Sequence, residues 1–334
     1  MKNKQTLGLV IAGLVFVLVS ASGIYANQYL KNNSKNGANT FLSAISNSDG
    51  YISLPLDHFV GVVCVEGTIL GSDSSSSSLL AKNTYNHNQN MKFIDKMMDA
   101  SNNKGILLYV DSPGGTVYHS DELYLKLMEY KQQTERPVWA FCAGEACSGG
   151  YYISMASDKI YANRNCWLGS IGVIIQLTNM KELYDKIGIK EVNITSGKNK
   201  AMGSGGIDMT QEQRDILQEL VDESYDQFVD IVADGRMLSN EEVRKLADGR
   251  IYSAKQCLDN GLIDYIGDYE TTKKDFKTLI GAGDITFYQP QSNKQSVFSS
   301  FFNIYQETKP KSDAQIITEY LEKKGNGVLM YYAE

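Results

Sequence analysis

The sequence predicts an α/β fold of parallel strands joined by crossing helices, and three observations carry that prediction. Short, β-branched apolar runs without helical period recur along the chain, amphipathic helical stretches separate them, and Gly-rich turns follow several of them at what would be one edge of a sheet. Runs that are apolar throughout, rather than alternating, belong to strands covered on both faces. With 334 residues and 43% hydrophobic composition, the chain can bury such a core.

The first element lies outside that core. Lys2 and Lys4 precede an uncharged stretch over residues 6–26, whose centre at 8–19 is almost pure Leu, Val, Ile, Phe, Gly and Ala. At ~1.5 Å per residue, a helix of this length reaches across a hydrocarbon layer of ~30 Å, so residues 1–26 are expected to form a membrane anchor. Ser20-Ala21-Ser22-Gly23 also has the small-residue character of a signal-cleavage site, but the total span favours a retained anchor. The leading lysines give a slight positive-inside bias: a single-pass protein with its N-terminus cytoplasmic and its bulk extracytoplasmic. Residues 27–53, rich in Asn, Ser and Gly, read as a flexible tether. Residues 54–288 then form the main domain and 289–334 a polar tail, with a helix expected at 316–321 and a short strand or extended end at 328–332.

Within the domain, residues 59–69 (FVGVVCVEGTI) form the first buried strand and run into a loop holding the serine run 74–78. A helix at 91–100, a strand at 105–110 (GILLYV), a helix at 117–132, a strand at 137–142 (PVWAFC) and an apolar helix at 148–156 follow in turn. Further strands are expected at 159–162, 171–177 and 191–195, with a helix at 180–187. Thr210 and Gln213 form a capping box that opens a long helix to about residue 233, apolar along Leu217, Leu220, Val221, Tyr225, Phe228 and Val232.

Composition excludes several functions. The 32 Lys and Arg against 39 Asp and Glu, a formal charge of −7, argue against nucleic acid as a partner. Five cysteines are an odd count in partly apolar surroundings and read as small buried side chains. The three histidines are far apart and neither HExxH nor CxxC occurs, so no metal site is expected. The absence of a Walker loop or a GxGxxG turn leaves nucleotide and dinucleotide cofactors without support.

Serine chemistry fares better. Ala146-Cys147-Ser148-Gly149-Gly150 follows strand PVWAFC and opens a helix, the turn that lifts a serine oxygen to a sheet edge beside free helix N–H groups. Asp111-Ser112-Pro113-Gly114-Gly115 ends the preceding strand at the same edge, and two adjacent glycines offer unhindered N–H groups for an oxyanion. Each motif alone also reads as a structural turn. The base is open on these grounds: His119 is the one histidine near the motifs, whereas Lys198 and Lys200 lie in a small-residue loop after the run EVNIT. A lysine base must be desolvated, since the free side chain titrates near pH ~10.4.

In order along the chain, Asp-Ser-Pro-Gly-Gly, Ser-Gly-Gly-Tyr-Tyr-Ile, Leu-Gly-Ser-Ile-Gly-Val-Ile and Ser-Gly-x-x-Lys resemble the signal peptide peptidase A family. These are bacterial membrane-anchored serine peptidases of the Clp-protease/crotonase-like fold, a superhelix of repeated ββα and βαβ units, that use a Ser/Lys dyad. The resemblance covers roughly residues 59–269 and implies Ser148 as nucleophile, Lys200 as general base and Ser170 as the residue positioning that lysine. It implies oxyanion N–H groups from Gly114 or Gly115 and from Gly149. Cys147 stands where a smaller residue is usual, with Glu145 just upstream; a thiol nucleophile at Cys147 is disfavoured because its side chain should point away from that of Ser148. The single motif set implies the short form of the family: a ring-like homo-oligomer in which serine and lysine of one site can come from neighbouring subunits. Cleaved signal peptides and other unfolded peptides are the implied substrates, without cofactor. The competing reading is a membrane-anchored crotonase-like scaffold or acyl-binding protein, which would need neither Ser148 nor Lys200.

Overall fold

The computed structural model describes residues 52–71, 85–281, 285–290 and 330–332. The expected anchor (1–26), nearly all of the tether and most of the tail, including the helix expected at 316–321, lie outside the described residues. Among the described residues no helix is long and apolar enough to cross a membrane.

In chain order the elements are β1 (Phe59–Glu66), α1 (His87–Asp99), β2 (Asn103–Ser112), β3 (Gly114–Thr116), α2 (Val117–Thr134), β4 (Val138–Cys147), α3 (Gly149–Ser154), β5 (Lys159–Ala162), β6 (Trp167–Gly169), α4 (Lys181–Ile187), α5 (Gln211–Arg236), α6 (Asn240–Leu246), β7 (Ile251–Ser253), α7 (Ala254–Asp259), β8 (Tyr265–Ile266), α8 (Tyr269–Ile280), β9 (Thr286–Tyr288) and β10 (Met330–Tyr332). The main sheet runs β7-β6-β4-β2-β1-β9, with β5 against the first half of β4 and β8 beside β5. Every pair in it is parallel except β6–β7. This is the predicted α/β class, and its strands are apolar throughout because both faces are covered. Val60, Leu107, Trp139, Phe141 and Tyr161 pack with Phe276 of α8 on one face, while Phe93 and Met97 of α1 press on Gly61 from the other.

Two expected strands are not strands. Residues 171–177 and 191–195 are largely irregular, and the short strand here is β6, which ends just before Ser170. β-branched side chains favour a strand only where a neighbouring strand and a covering layer exist. Beyond the buried Ile171 the covering layer is missing among the described residues: no residue of α4 is buried, and Ile174, Ile187, Ile189, Val192 and Ile194 are all exposed. The apolar face of α5 likewise meets the core only in its second half, through Phe228, Val229, Val232 and Ala233, while Leu220 is exposed. Its start is as expected, with the Thr210–Gln213 capping box formed in both directions.

Candidate active site

β4 is long enough to pair with two strands in succession: residues 139–142 face β5 and residues 145–147 face β6. Its register against β2 shifts between Val110 and Ser112, and the Asp111 carboxylate holds the irregular stretch by accepting the Glu145 N–H at 3.0 Å. Burial, and secondarily the Asp111 carboxylate, push the Glu145 carboxyl above its ordinary range. The chain then turns sharply at Ser148, whose φ of 51° and ψ of −116° are unusual for a residue with a side chain. Its N–H is anchored on the Gly169 carbonyl at 2.7 Å, and its own carbonyl accepts from Tyr152 inside α3 at 2.9 Å. Ser148 Oγ is fully buried and has no hydrogen-bond partner among the described residues. A buried hydroxyl left unpaired costs stability, and Ser120 and Ser157 carry the same kind of hydroxyl among the described residues; what sets Ser148 apart is its backbone conformation.

β3 lies across the start of α3. Its N–H and C=O groups on one edge are engaged by Ile69, which donates to the Gly114 carbonyl at 2.8 Å and accepts from Thr116 at 3.0 Å. Strand alternation turns the Gly115 N–H toward the opposite edge. The Gly114 N–H is spent on Ser112 Oγ at 3.1 Å, so of the two expected glycines it is Gly115 whose amide faces the cleft. Gly114 supplies room instead: with φ of 108°, a Cβ there would stand 2.8 Å from the Gly149 amide nitrogen. Gly149 is equally obligatory, because a Cβ on it would meet Ser120 Oγ and would lie 3.2 Å from the Gly115 nitrogen. As the first helical residue, Gly149 has no intrahelical acceptor for its N–H.

Ser170 follows β6 with φ of 48°, is nearly buried, and donates its N–H to the Arg250 carbonyl at 2.8 Å. The structure therefore brings together Ser148, Gly114, Gly115, Gly149 and Ser170. It does not bring Lys200 to them. Lys200 is exposed in the turn after Gly197, whose carbonyl accepts its backbone N–H at 3.1 Å, and Ser148 Oγ has no partner among the described residues. Lys198 is engaged elsewhere, paired with Glu212 at 2.6 Å. His119 sits on the first turn of α2 with Nδ1 2.6 Å from Thr116 Oγ1 and its ring against His87, and is not a partner of Ser148. Cys147 is buried, and burial with the nearby Glu145 carboxylate drives its thiol far above the ordinary range, away from the reactive thiolate. None of the five cysteines is in a disulfide.

Sequence reasoning missed the aromatic wall beside the glycines. Tyr152 of α3 and Phe228 of α5 lie with ring centres 5.0 Å apart, and the Tyr152 hydroxyl donates to Asp121 at 2.6 Å and accepts from Gln227 at 2.7 Å. Phe228 was visible on the apolar side of its helix, and Tyr152 inside the Ser-Gly-Gly-Tyr-Tyr-Ile motif, but nothing in the sequence pairs them.

A strained serine at a strand-to-helix turn, flanked by a glycine amide on a crossing strand and another at the helix start, has the layout of a serine acyl-transfer site on a parallel sheet. The family model for peptidase family S49 matches residues 130–282, and that for Clp protease matches residues 75–181. An Enterococcus faecium protein provisionally named signal peptide peptidase SppA is 36% identical over 237 residues, 71% of this chain and 68% of that protein. A Synechocystis protein provisionally named as a protease is 39% identical over 186 residues, 56% of this chain and 66% of that one. Protease 4 of Haemophilus influenzae is 30% identical over 249 residues, 72% of this chain and 39% of its own length. The chain belongs to peptidase family S49, the signal peptide peptidase A group of serine peptidases with a Clp-protease-like domain.

Proposed function

We propose that the chain is a Ser/Lys endopeptidase that cuts remnant signal peptides and other unfolded peptides at a membrane, working as a ring-like homo-oligomer. The observation that carries this reading is Ser148 itself, a buried, unpartnered hydroxyl held at φ 51° next to the amides of Gly115 and Gly149. In this mechanism neutral Lys200 takes the proton from Ser148 Oγ, which attacks the peptide carbonyl. The Gly115 and Gly149 N–H groups receive the oxyanion. Lys200 returns the proton to the leaving amine, and water, deprotonated by Lys200, releases the acyl group. Ser170 holds the lysine.

Lys200 comes from a second copy of the chain. Supporting that assignment, its loop sits on the arm formed by α4 and the residues after it, whose Ile187, Val192 and Ile194 are exposed. Such a row of exposed apolar side chains is what a subunit contact removes from water. Docking would also desolvate Lys200 and so favour its neutral form. Cleavage occurs only of chains that can lie extended along β3, which makes folded proteins resistant. Residues 1–26 tether the domain to the membrane, on its extracytoplasmic side.

The test is cleavage of an unfolded signal-peptide-like substrate across a pH series by the parent, Ser148→Ala and Lys200→Ala. Activity that rises with pH in the parent and is absent from both variants supports the dyad. Equal activity in all three removes it.

A further inference from the structure

Ser120, on the first turn of α2, is fully buried, and its Oγ has no hydrogen-bond partner among the described residues. A hydroxyl at such a helical position has an acceptor within reach, the carbonyl four residues earlier. Thr272 holds the same place in α8, is equally buried, and donates to the carbonyl of its N-cap, Asp268, at 2.9 Å. Thr134 does the same to Tyr130 at 2.7 Å and Ser154 to Gly150 at 2.8 Å. Ser120 forgoes that bond.

Its oxygen is turned to the active site instead. Ser120 Oγ is the first atom that a Cβ on Gly149 would meet, and the Gly115 nitrogen and the Gly114 α-carbon lie 3.2 and 3.3 Å from the same point. The hydroxyl therefore rests against the Gly149 α-carbon, in the space that glycine leaves open. The two amides proposed to receive the oxyanion sit on different elements, Gly115 on β3 and Gly149 at the start of α3. Thr116 is both the last residue of β3 and the N-cap of α2, so the first turn of α2 moves with β3. Through that turn, Ser120 Oγ sets β3 against α3.

Stability alone would favour another residue here. Alanine is the better helix former and would leave no buried hydroxyl unpaired. What alanine lacks is the one heavy atom that touches Gly149. We propose that Ser120 is a positioning residue of the acyl-transfer site, whose hydroxyl fixes the spacing between the Gly115 and Gly149 amides. This rests on the peptidase reading above and adds a residue to its machinery.

The experiment compares the full chain with Ser120→Ala, Gly149→Ala and Ser120→Ala/Gly149→Ala, by peptide kinetics across a pH series and by urea denaturation. Ser120→Ala is expected to lower kcat about 10- to 100-fold, since misplaced donors are felt in the transition state, with KM within about twofold. Its pH profile stays where it was, because backbone amides do not titrate, and its urea midpoint equals or exceeds that of the parent. An unchanged kcat overturns the proposal, and so does a lower kcat accompanied by a lower urea midpoint. The double variant exchanges the serine oxygen for a methyl on Gly149, and is expected to be at least about tenfold more active than Gly149→Ala. Losses that simply multiply overturn the contact. Should the parent cut no peptide, the peptidase reading fails by itself, and labelling of Ser148 by a fluorophosphonate, followed by mass spectrometry, reads the same amides. Labelling at least about tenfold slower in Ser120→Ala upholds the positioning role; equal labelling, or a parent that is not labelled, overturns it.

Discussion

Ser148 and Ser170 leave adjacent strands at the same level: Cys147 and Gly169, the residues before them, are register partners, and both serines have left-handed φ, 51° and 48°. Each is pinned by a backbone bond, Ser148 to Gly169 and Ser170 to Arg250. Two strained residues held side by side cost stability that the surrounding ladder supplies, and such strain concentrates at working sites. Ser170→Ala is expected to lower kcat about 10- to 100-fold and to move the alkaline rise of kcat/KM, because a hydroxyl that orients a lysine base acts through its ionisation. A pH–rate profile measures both, and a fall in rate with an unmoved profile assigns Ser170 to structure alone.

Gly114 is predicted to tolerate no side chain. A methyl group there would fill the space above Gly149 and would sit on a residue with φ of 108°. Gly114→Ala should reduce kcat/KM by about 10²-fold or more, comparable with removing an oxyanion donor. Steady-state kinetics on a folded variant, checked by circular dichroism, measures this.

Ile194 is 97% exposed, so Ile194→Asp should leave the fold of one chain unchanged within about 0.5 kcal/mol. Its expected effect is on assembly: sedimentation velocity should show smaller species, and peptidase activity should fall with them.

Asp264 ties β8 to β5 and α5, accepting the Ile160 N–H at 2.8 Å and pairing with Arg236 at 3.0 Å. Burial acts to raise its carboxyl, but the Arg236 guanidinium, the Ile160 N–H and Lys159 outweigh burial and hold it below the usual range. A depressed carboxylate contributes stability that is present above its unfolded value of about 4 and is lost as pH falls through the folded one. Asp264→Asn should therefore cost about 2 kcal/mol at pH 7, with the gap to the parent closing below about pH 4. Urea denaturation of both forms at pH 7 and pH 3.5 gives the comparison.

Much of this was legible in the sequence. Strands β1, β2, β4 and β5 announced themselves as apolar runs, and α5 by its capping box, since local composition and burial agree there, whereas β3 (Gly114–Thr116) was read as a Gly-rich turn. Ser148 and the glycines followed from turn chemistry at strand ends. The arm was misread because Val192 and Ile194 carry strand propensity without a strand partner among the described residues. Propensity reports that a surface wants cover, not what provides it. The engagement of β3 by residues 330–332 was beyond reach for another reason: the extended end was recognisable, but pairing across more than two hundred residues leaves no local trace.

Mixing two inactive variants tests the shared Ser148–Lys200 site most directly. Ser148→Ala retains Lys200, Lys200→Ala retains Ser148, and each alone is expected to be inactive. Co-assembled subunits should regain peptidase activity, because a site formed between chains can take its serine from one variant and its lysine from the other. Mixed assemblies, verified by native mass spectrometry, that remain as inactive as either variant alone would contradict it.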